Sequence, residues 1–232
     1  MSITNRESQL NVQSKLCIVT SASSPLGVRI SKSLLKANAM VLGIDSKARD
    51  STLFAGSGTH FQFEEFTVKD KHSAVEVIAA AKEKFDQDQI DVLVNIVGPE
   101  QENDMSGAKE MADAAALAMK QQGKGKVVMV SEDVESDSVP PALSDLTKSL
   151  AVEYSDVGIA FNIILPQATG GGDRQSQHAF QEAKEAFNKL QRSDEPPSKL
   201  HDVGVVALFL ASDMSDGLDQ RIVRLDGTSS PL

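Results

Sequence analysis

The stretch Leu16-Cys17-Ile18-Val19-Thr20-Ser21-Ala22-Ser23-Ser24-Pro25-Leu26-Gly27 decides the fold. An apolar, β-branched run passes through small polar residues and opens into Val28–Ala37, where Ile30, Leu34 and Leu35 share one helical face. That is a strand, a tight turn and a helix in immediate succession, and the same unit recurs downstream. The pattern predicts strands at Leu16–Thr20, Met40–Ile44, Phe61–Phe66, Val92–Ile96, Val127–Val130, Ala160–Leu165 and Arg221–Leu225. It predicts helices at Val28–Ala37, Ser73–Phe85, Ser106–Gln121, Ala142–Tyr154, Gln175–Leu190 and His201–Ser212. Alternation of this kind, with no internal repeat or linker, is the signature of an α/β protein with a doubly wound parallel sheet. We expect about seven strands in one domain over residues 1–232, with a polar tail at 1–13 and a lid-like segment at 167–200.

Composition agrees with a sheet buried on both faces. The chain is 41% hydrophobic but holds only nine Phe, one Tyr and no Trp, so its core must come from Val, Ile, Leu and Ala. The net charge of -10 argues against nucleic acid or an anionic membrane as partner. Cys17 is the only cysteine, which excludes a disulfide framework and a cysteine zinc site. No His/Cys/Asp/Glu grouping has metal-ligand spacing, so no metal is expected. The polar opening residues and the absence of a long apolar run make a cytoplasmic protein the expectation.

The turn after the first strand is placed to receive phosphate, because backbone N–H groups at a helix N-terminus attract anions. Ser21, Ser24, Leu26 and Gly27 are the candidate contacts there. Pro25 lacks an N–H but suits the first position of a helix. Asp45 ends the second strand, where a carboxylate would hydrogen-bond a ribose 2′-hydroxyl and favour NAD over its phosphorylated relative. The alternative is a strand-to-helix turn that binds nothing, with Asp45 an ordinary strand-ending residue.

These residues resemble the short-chain dehydrogenase/reductase family, a Rossmann-type group whose loop reads Thr-Gly-x-x-x-Gly-(Ile/Leu)-Gly. Thr20, Leu26 and Gly27 match it, while Ser21 and Pro25 stand where the first two glycines would be. Leu93-Val94-Asn95-Ile96-Val97-Gly98 resembles the family's Leu-Val-Asn-Asn-Ala-Gly, which adds Asn95 and Gly98 to the candidate cofactor contacts. Thr67-Val68 stands at the family's adenine-facing Asp-Val. Lys148–Glu153, Gly158–Asn162, Phe209–Asp213 and Val223–Gly227 match further segments, so the likeness runs from about Ser14 onward.

The resemblance implies a Tyr acid/base, activated by a Lys one helical turn away, and a Ser that polarises substrate. Aligned from Lys148, the Tyr position falls on Ser136, the Lys position on Pro140 and the Ser position on Glu132. No Tyr-x-x-x-Lys occurs in the chain; the sole tyrosine is Tyr154, read as a packing residue with its hydroxyl at the surface. Glu132 and Asp133 would project from the C-terminal edge of the sheet, where α/β ligands bind, and a partly buried carboxylate there can act as general acid or base. The alternative is a solvated acidic loop. Asn103 stands close to the family's catalytic Asn, although Asn103-Asp104 could simply cap the following helix. Gly170-Gly171-Gly172 is a hinge candidate in the lid-like segment.

The leading expectation is an enzyme that keeps this fold but performs non-redox chemistry without a required cofactor. The reactions in view are isomerisation, elimination or cyclisation of a small hydrophobic substrate, of the kind secondary metabolism uses. Glu132, Asp133 and Asn103 would carry the proton transfers. An NAD-dependent oxidoreductase with a different proton donor is the second reading, and a non-catalytic dinucleotide-binding or scaffold protein the third. The resemblance also implies a homodimer or homotetramer built on the helices near Ser106–Gln121 and Ala142–Tyr154.

Overall fold

The computed structural model describes residues 10, 12–47, 54, 56–98, 104–132, 139–166 and 199–225. Seven parallel strands form one sheet in the order β3-β2-β1-β4-β5-β6-β7. They are β1 (Leu16–Val19), β2 (Met40–Asp45), β3 (Phe61–Glu65), β4 (Val92–Val97), β5 (Gly125–Ser131), β6 (Ile159–Leu165) and β7 (Ile222–Arg224). The helices are α1 (Pro25–Lys36), α2 (Lys71–Phe85), α3 (Ser106–Gln122), α4 (Pro141–Glu153) and α5 (Lys199–Ala211). The expected doubly wound sheet is present. The expected helix at Gln175–Leu190 and the Gly170–Gly172 hinge lie outside the described residues.

Period-two alternation in buried strands divides the core into two layers. Cys17, Val19, Val92, Val94, Ile96, Val128 and Val130 face one layer, which α1 and α5 cover. Leu16, Ile18, Leu93, Val97, Val127 and Met129 face the other, under α2, α3 and α4. Helix α5 is apolar nearly all round, with Val203 and Val205 through Ala211 buried, because it packs against both α1 and the sheet. Its Gly204 is required by that packing: a Cβ there would run into the Ser33 hydroxyl of α1.

The helix starts follow local chemistry. Asp70 and Ser73 form a reciprocal capping box at α2, which therefore begins two residues before the predicted Ser73. Helix α1 begins at Pro25 rather than Val28, because Ser24 caps it, its hydroxyl accepting the Gly27 N–H at 3.1 Å.

At the N-terminal edge of the sheet two lysines fasten the segment after α5. Lys126 donates to the Ser212 carbonyl (2.6 Å), the Ser215 hydroxyl (2.6 Å) and Asp216 (2.8 Å). Burial pulls its ammonium pKa below the ordinary value. Lys15 donates to the Ala211 carbonyl and to Asp213, at 3.1 and 2.6 Å. Cys17 is fully buried and its thiol is pushed far up by burial, so it is an inert core residue. Among the described residues no helix is long and apolar enough to cross a membrane, and no group of three or more His, Cys, Asp and Glu could hold a metal.

Candidate functional site

Strand order reverses between β1 and β4, and the chain leaves these two strands toward opposite sides of the sheet. The crevice at their C-terminal ends is where a doubly wound sheet binds its ligand. On the β2–β3 side of that reversal lies a cavity of about 110 Å³, lined by Thr20, Ser21, Asp45, Ser46, Thr67, Val68, Asn95 and residues of α3. Helix α3 closes one wall with Gly107, Ala108 and Met111. Gly107 lies so near the Val68 carbonyl that a Cβ would overlap it. Neither Gly107 nor Met111 was legible as a site residue, because only the tertiary approach of α3 brings them there.

The loop after β1 is held from within. Ser21 adopts φ 47°, the left-handed conformation that the first glycine of such a loop supplies freely. A serine can take it at an energetic cost, so Ser21 replaces glycine without changing the path of the chain. At Gly27 no side chain fits: a Cβ would collide with the Ser21 carbonyl and the Ala22 backbone. The Leu26 side chain is buried in the core, and its N–H, at the second helical position, has no intrahelical acceptor. The Ser24 hydroxyl accepts the Gly27 N–H and so serves first as a helix cap.

Asp45 stands on the cavity wall and also braces the loop. One carboxylate oxygen accepts the Ser23 N–H at 2.9 Å and the other the Lys47 N–H at 3.2 Å. Each oxygen keeps a further lone pair, so the brace leaves acceptor capacity toward the cavity.

Asn95 lines the cavity, and its amide also has partners within the protein. It is buried, and both ends of its amide are engaged: Oδ1 accepts from Thr20 Oγ1 at 3.1 Å, and Nδ2 donates to the Ala108 carbonyl at 2.8 Å. Thr20 Oγ1 in turn accepts the Ile96 N–H at 2.8 Å. The amide therefore ties β1, β4 and α3 together beneath the cavity.

On the far side of the reversal, Gly98 and Glu132 end β4 and β5 side by side. The Glu132 N–H donates to the Val97 carbonyl at 2.8 Å. Its Oε2 lies 3.0 Å from where a Gly98 Cβ would be, so this half-buried carboxylate lies over the end of β4. Asp133 and Asn103 lie outside the described residues. Asp104 accepts the Ser106 N–H at 3.0 Å, and its bonds to the Ser106 side chain and then backbone hold its carboxyl below the ordinary value; the N-cap of α3 itself is Met105, which makes no side-chain capping bond.

Pro140, at the position where the family's Lys would be, precedes α4 with φ -51° and ψ 129°, and Pro141 is the first helical residue. The helical turn that would carry a lysine toward the crevice is therefore not formed. The Tyr154 hydroxyl is not at the surface as expected. It donates to Asp113 of α3 at 2.6 Å beside Phe161, and burial followed by that carboxylate raises its phenol far above the ordinary value. Tyr154 fastens α4 to α3.

Comparison with known proteins agrees with this architecture. A family model described as short chain dehydrogenase matches residues 15–182. The chain is 24% identical to the short chain dehydrogenase ple7 of Rhodocybe pseudopiperita, over 94% of this chain and 99% of that one. It is 26% identical to the 2-dehydro-3-deoxy-D-gluconate 5-dehydrogenase of Bacillus subtilis, covering 94% and 95%. Among solved structures, a short-chain type dehydrogenase/reductase from Mycobacterium marinum superposes with a TM-score of 0.71 over the full length of both chains, at 18% identity. The NADPH-dependent 3-quinuclidinone reductase of Rhodotorula rubra gives 0.70 at 17% identity, covering 98% and 95%.

Proposed function

This chain belongs to the short-chain dehydrogenase family, and we propose that it binds a nicotinamide dinucleotide across its C-terminal sheet edge and works as an oxidoreductase with Glu132 as its proton-transfer group. The observation that carries this reading is the Glu132 carboxylate lying over the end of β4 beside the strand-order reversal. The relatives' names, dehydrogenases and oxidoreductases, move the weight from the expected cofactor-free chemistry to a redox reaction.

The residues present fit the group. The cavity bounded by Asp45, Thr67 and Val68 would take the adenosine half, with Asp45 toward the ribose. The Leu26 N–H and the start of α1 would meet the pyrophosphate. When bound, the nicotinamide supplies the hydride acceptor. Glu132 would accept the hydroxyl proton of the alcohol as it becomes a carbonyl, and would release that proton to solvent before the next turnover. A carboxylate placed at the reacting hydroxyl contributes on the order of 10²–10⁴ in rate.

The test is NAD⁺ reduction, followed by its absorbance, across a panel of secondary alcohols. Turnover should fall by about 10²–10⁴ in Glu132→Gln at saturating NAD⁺. Protein that binds neither NAD⁺ nor NADH, or a variant of undiminished rate, would overturn the assignment.

The second reading keeps Glu132 as acid/base but without a redox step, in isomerisation, elimination or cyclisation of a hydrophobic substrate. The missing Tyr-x-x-x-Lys and the extended Pro140 favour it. Turnover by cofactor-stripped protein, unchanged on adding NAD⁺, would establish it instead. We also propose self-association through α3 and α4, which expose Leu117 and Val152; sedimentation of a Val152→Glu variant tests that.

A further inference from the structure

Resting on the dinucleotide reading above, we infer that Glu132 selects the oxidation state of the cofactor, favouring the cationic ring of NAD⁺ over the neutral ring of NADH. Asp45 ends β2 and Glu132 ends β5, and β1 and β4 lie between them. Three inter-strand steps separate the two carboxylates by about 14 Å along the sheet edge. A dinucleotide lies across the reversal in strand order with one half on each side. With the adenosine half in the cavity beside Asp45, the nicotinamide half falls on the β4–β5 side. The Glu132 carboxylate lies over Gly98 on that side, with Oε2 3.0 Å from where a Gly98 Cβ would be.

The consequence is electrostatic. Both forms of the cofactor carry the same pyrophosphate, so the two phosphate contributions cancel when their affinities are divided. What differs is one unit of positive charge on the oxidised ring. Were the ring to bind within ~6 Å of this half-exposed carboxylate, at an effective dielectric of ~40, one charge pair would be worth roughly a tenfold ratio in affinity. Asp45 is more distant from the ring and is hydrogen-bonded by Ser23 and Lys47, so it contributes little to that ratio.

The experiment is calorimetric titration of wild-type protein, Glu132→Gln and Glu132→Asp with NAD⁺ and with NADH, in low and in moderate salt. We expect the NAD⁺/NADH affinity ratio to fall about tenfold in Glu132→Gln, to persist in Glu132→Asp, and in wild type to shrink as salt rises. Should both cofactors bind while the ratio stays the same in Glu132→Gln, the charge inference fails and the dinucleotide reading stands. Should neither bind wild type, the dinucleotide reading itself fails. The salt series on wild type is independent of how any variant folds, and a ratio indifferent to salt also counts against the inference.

Discussion

Replacing Asn95 by Ala is the perturbation that links the fold most directly to the site. The amide holds Thr20 Oγ1 on β1 and the Ala108 carbonyl in the first turn of α3, at 3.1 and 2.8 Å. Its loss does not strand both partners equally. The Thr20 hydroxyl retains the Ile96 N–H as donor and can turn its own hydrogen to the Ile96 carbonyl at 3.4 Å, so that half of the loss is small. The Ala108 carbonyl loses a neutral hydrogen bond in a buried setting, about 1 kcal/mol. The vacated side-chain volume in a packed interior adds about 1–2 kcal/mol. The sum is roughly 2–3 kcal/mol, or a fall in melting temperature of about 5–10 °C for a chain of this size. Urea unfolding followed by circular dichroism measures it. Asn95→Asp provides the control, because it keeps the shape, loses the donor and sets an anion against the Ala108 carbonyl. It should be less stable than Asn95→Ala at neutral pH. If both variants unfold within 0.5 kcal/mol of wild type, the amide does not tie β1 to α3.

Three further outcomes follow from the same geometry. Gly27→Ala should destabilise by about 1–3 kcal/mol, because its Cβ meets backbone rather than a movable side chain, and should abolish dinucleotide binding in the same titration. Ser21→Gly should raise stability by about 0.5–1 kcal/mol in a thermal melt by relieving the left-handed φ of 47°, and no gain would mean that the strain is relaxed elsewhere. The Lys15 bond holds the Asp213 carboxyl below its ordinary value of 3.8, so its stabilisation is present above that value and is lost as pH falls through the lower folded value. Acid unfolding of Lys15→Met should therefore show a shallower loss below pH ~4 than wild type, by a few tenths of a kcal/mol, since Asp213 is largely exposed.

The fold was legible because its signals are local and redundant. Runs such as Leu16–Val19 and Val92–Val97 are buried on both faces and, Asn95 apart, apolar on both, as a covered parallel sheet requires. Asp70 and Ser24 show why helix starts were displaced: cap side chains set the first turn before any apolar periodicity begins. The site was legible only where it lies on strand ends. Asp45, Gly98 and Glu132 are fixed by strand register, and the strands carry them to one edge. A sequence does not show that the Asn95 amide engages Thr20 and Ala108 while the residue lines the same cavity. Gly107 and Met111 were missed because α3 approaches the segment after β3, at Val68, only in three dimensions.

Glu132 and the lost Tyr-x-x-x-Lys bear on a single question, the direction of the reaction. A phenol beside a lysine can give a proton to a carbonyl oxygen or take one from an alcohol, since the cation brings the phenol toward neutral pH. An ionised carboxylate is a proton acceptor only, so it assists the step in which an alcohol is oxidised and opposes the reverse. The same negative charge favours loading of the protein with the cationic, oxidised ring, an attraction that is given up when the ring is reduced. One residue at the end of β5 would thus assist the proton transfer of oxidation and the binding of the oxidised cofactor, at a cost to the hydride step itself. This coupling separates the redox reading from a non-redox one, for a carboxylate that serves isomerisation must give its proton back within each turnover. Glu132→Ala should lower turnover in the oxidative direction by about 10²–10⁴, and added formate should restore part of that rate. A variant of undiminished rate, or one whose loss formate leaves unchanged, would remove Glu132 from the proton transfer.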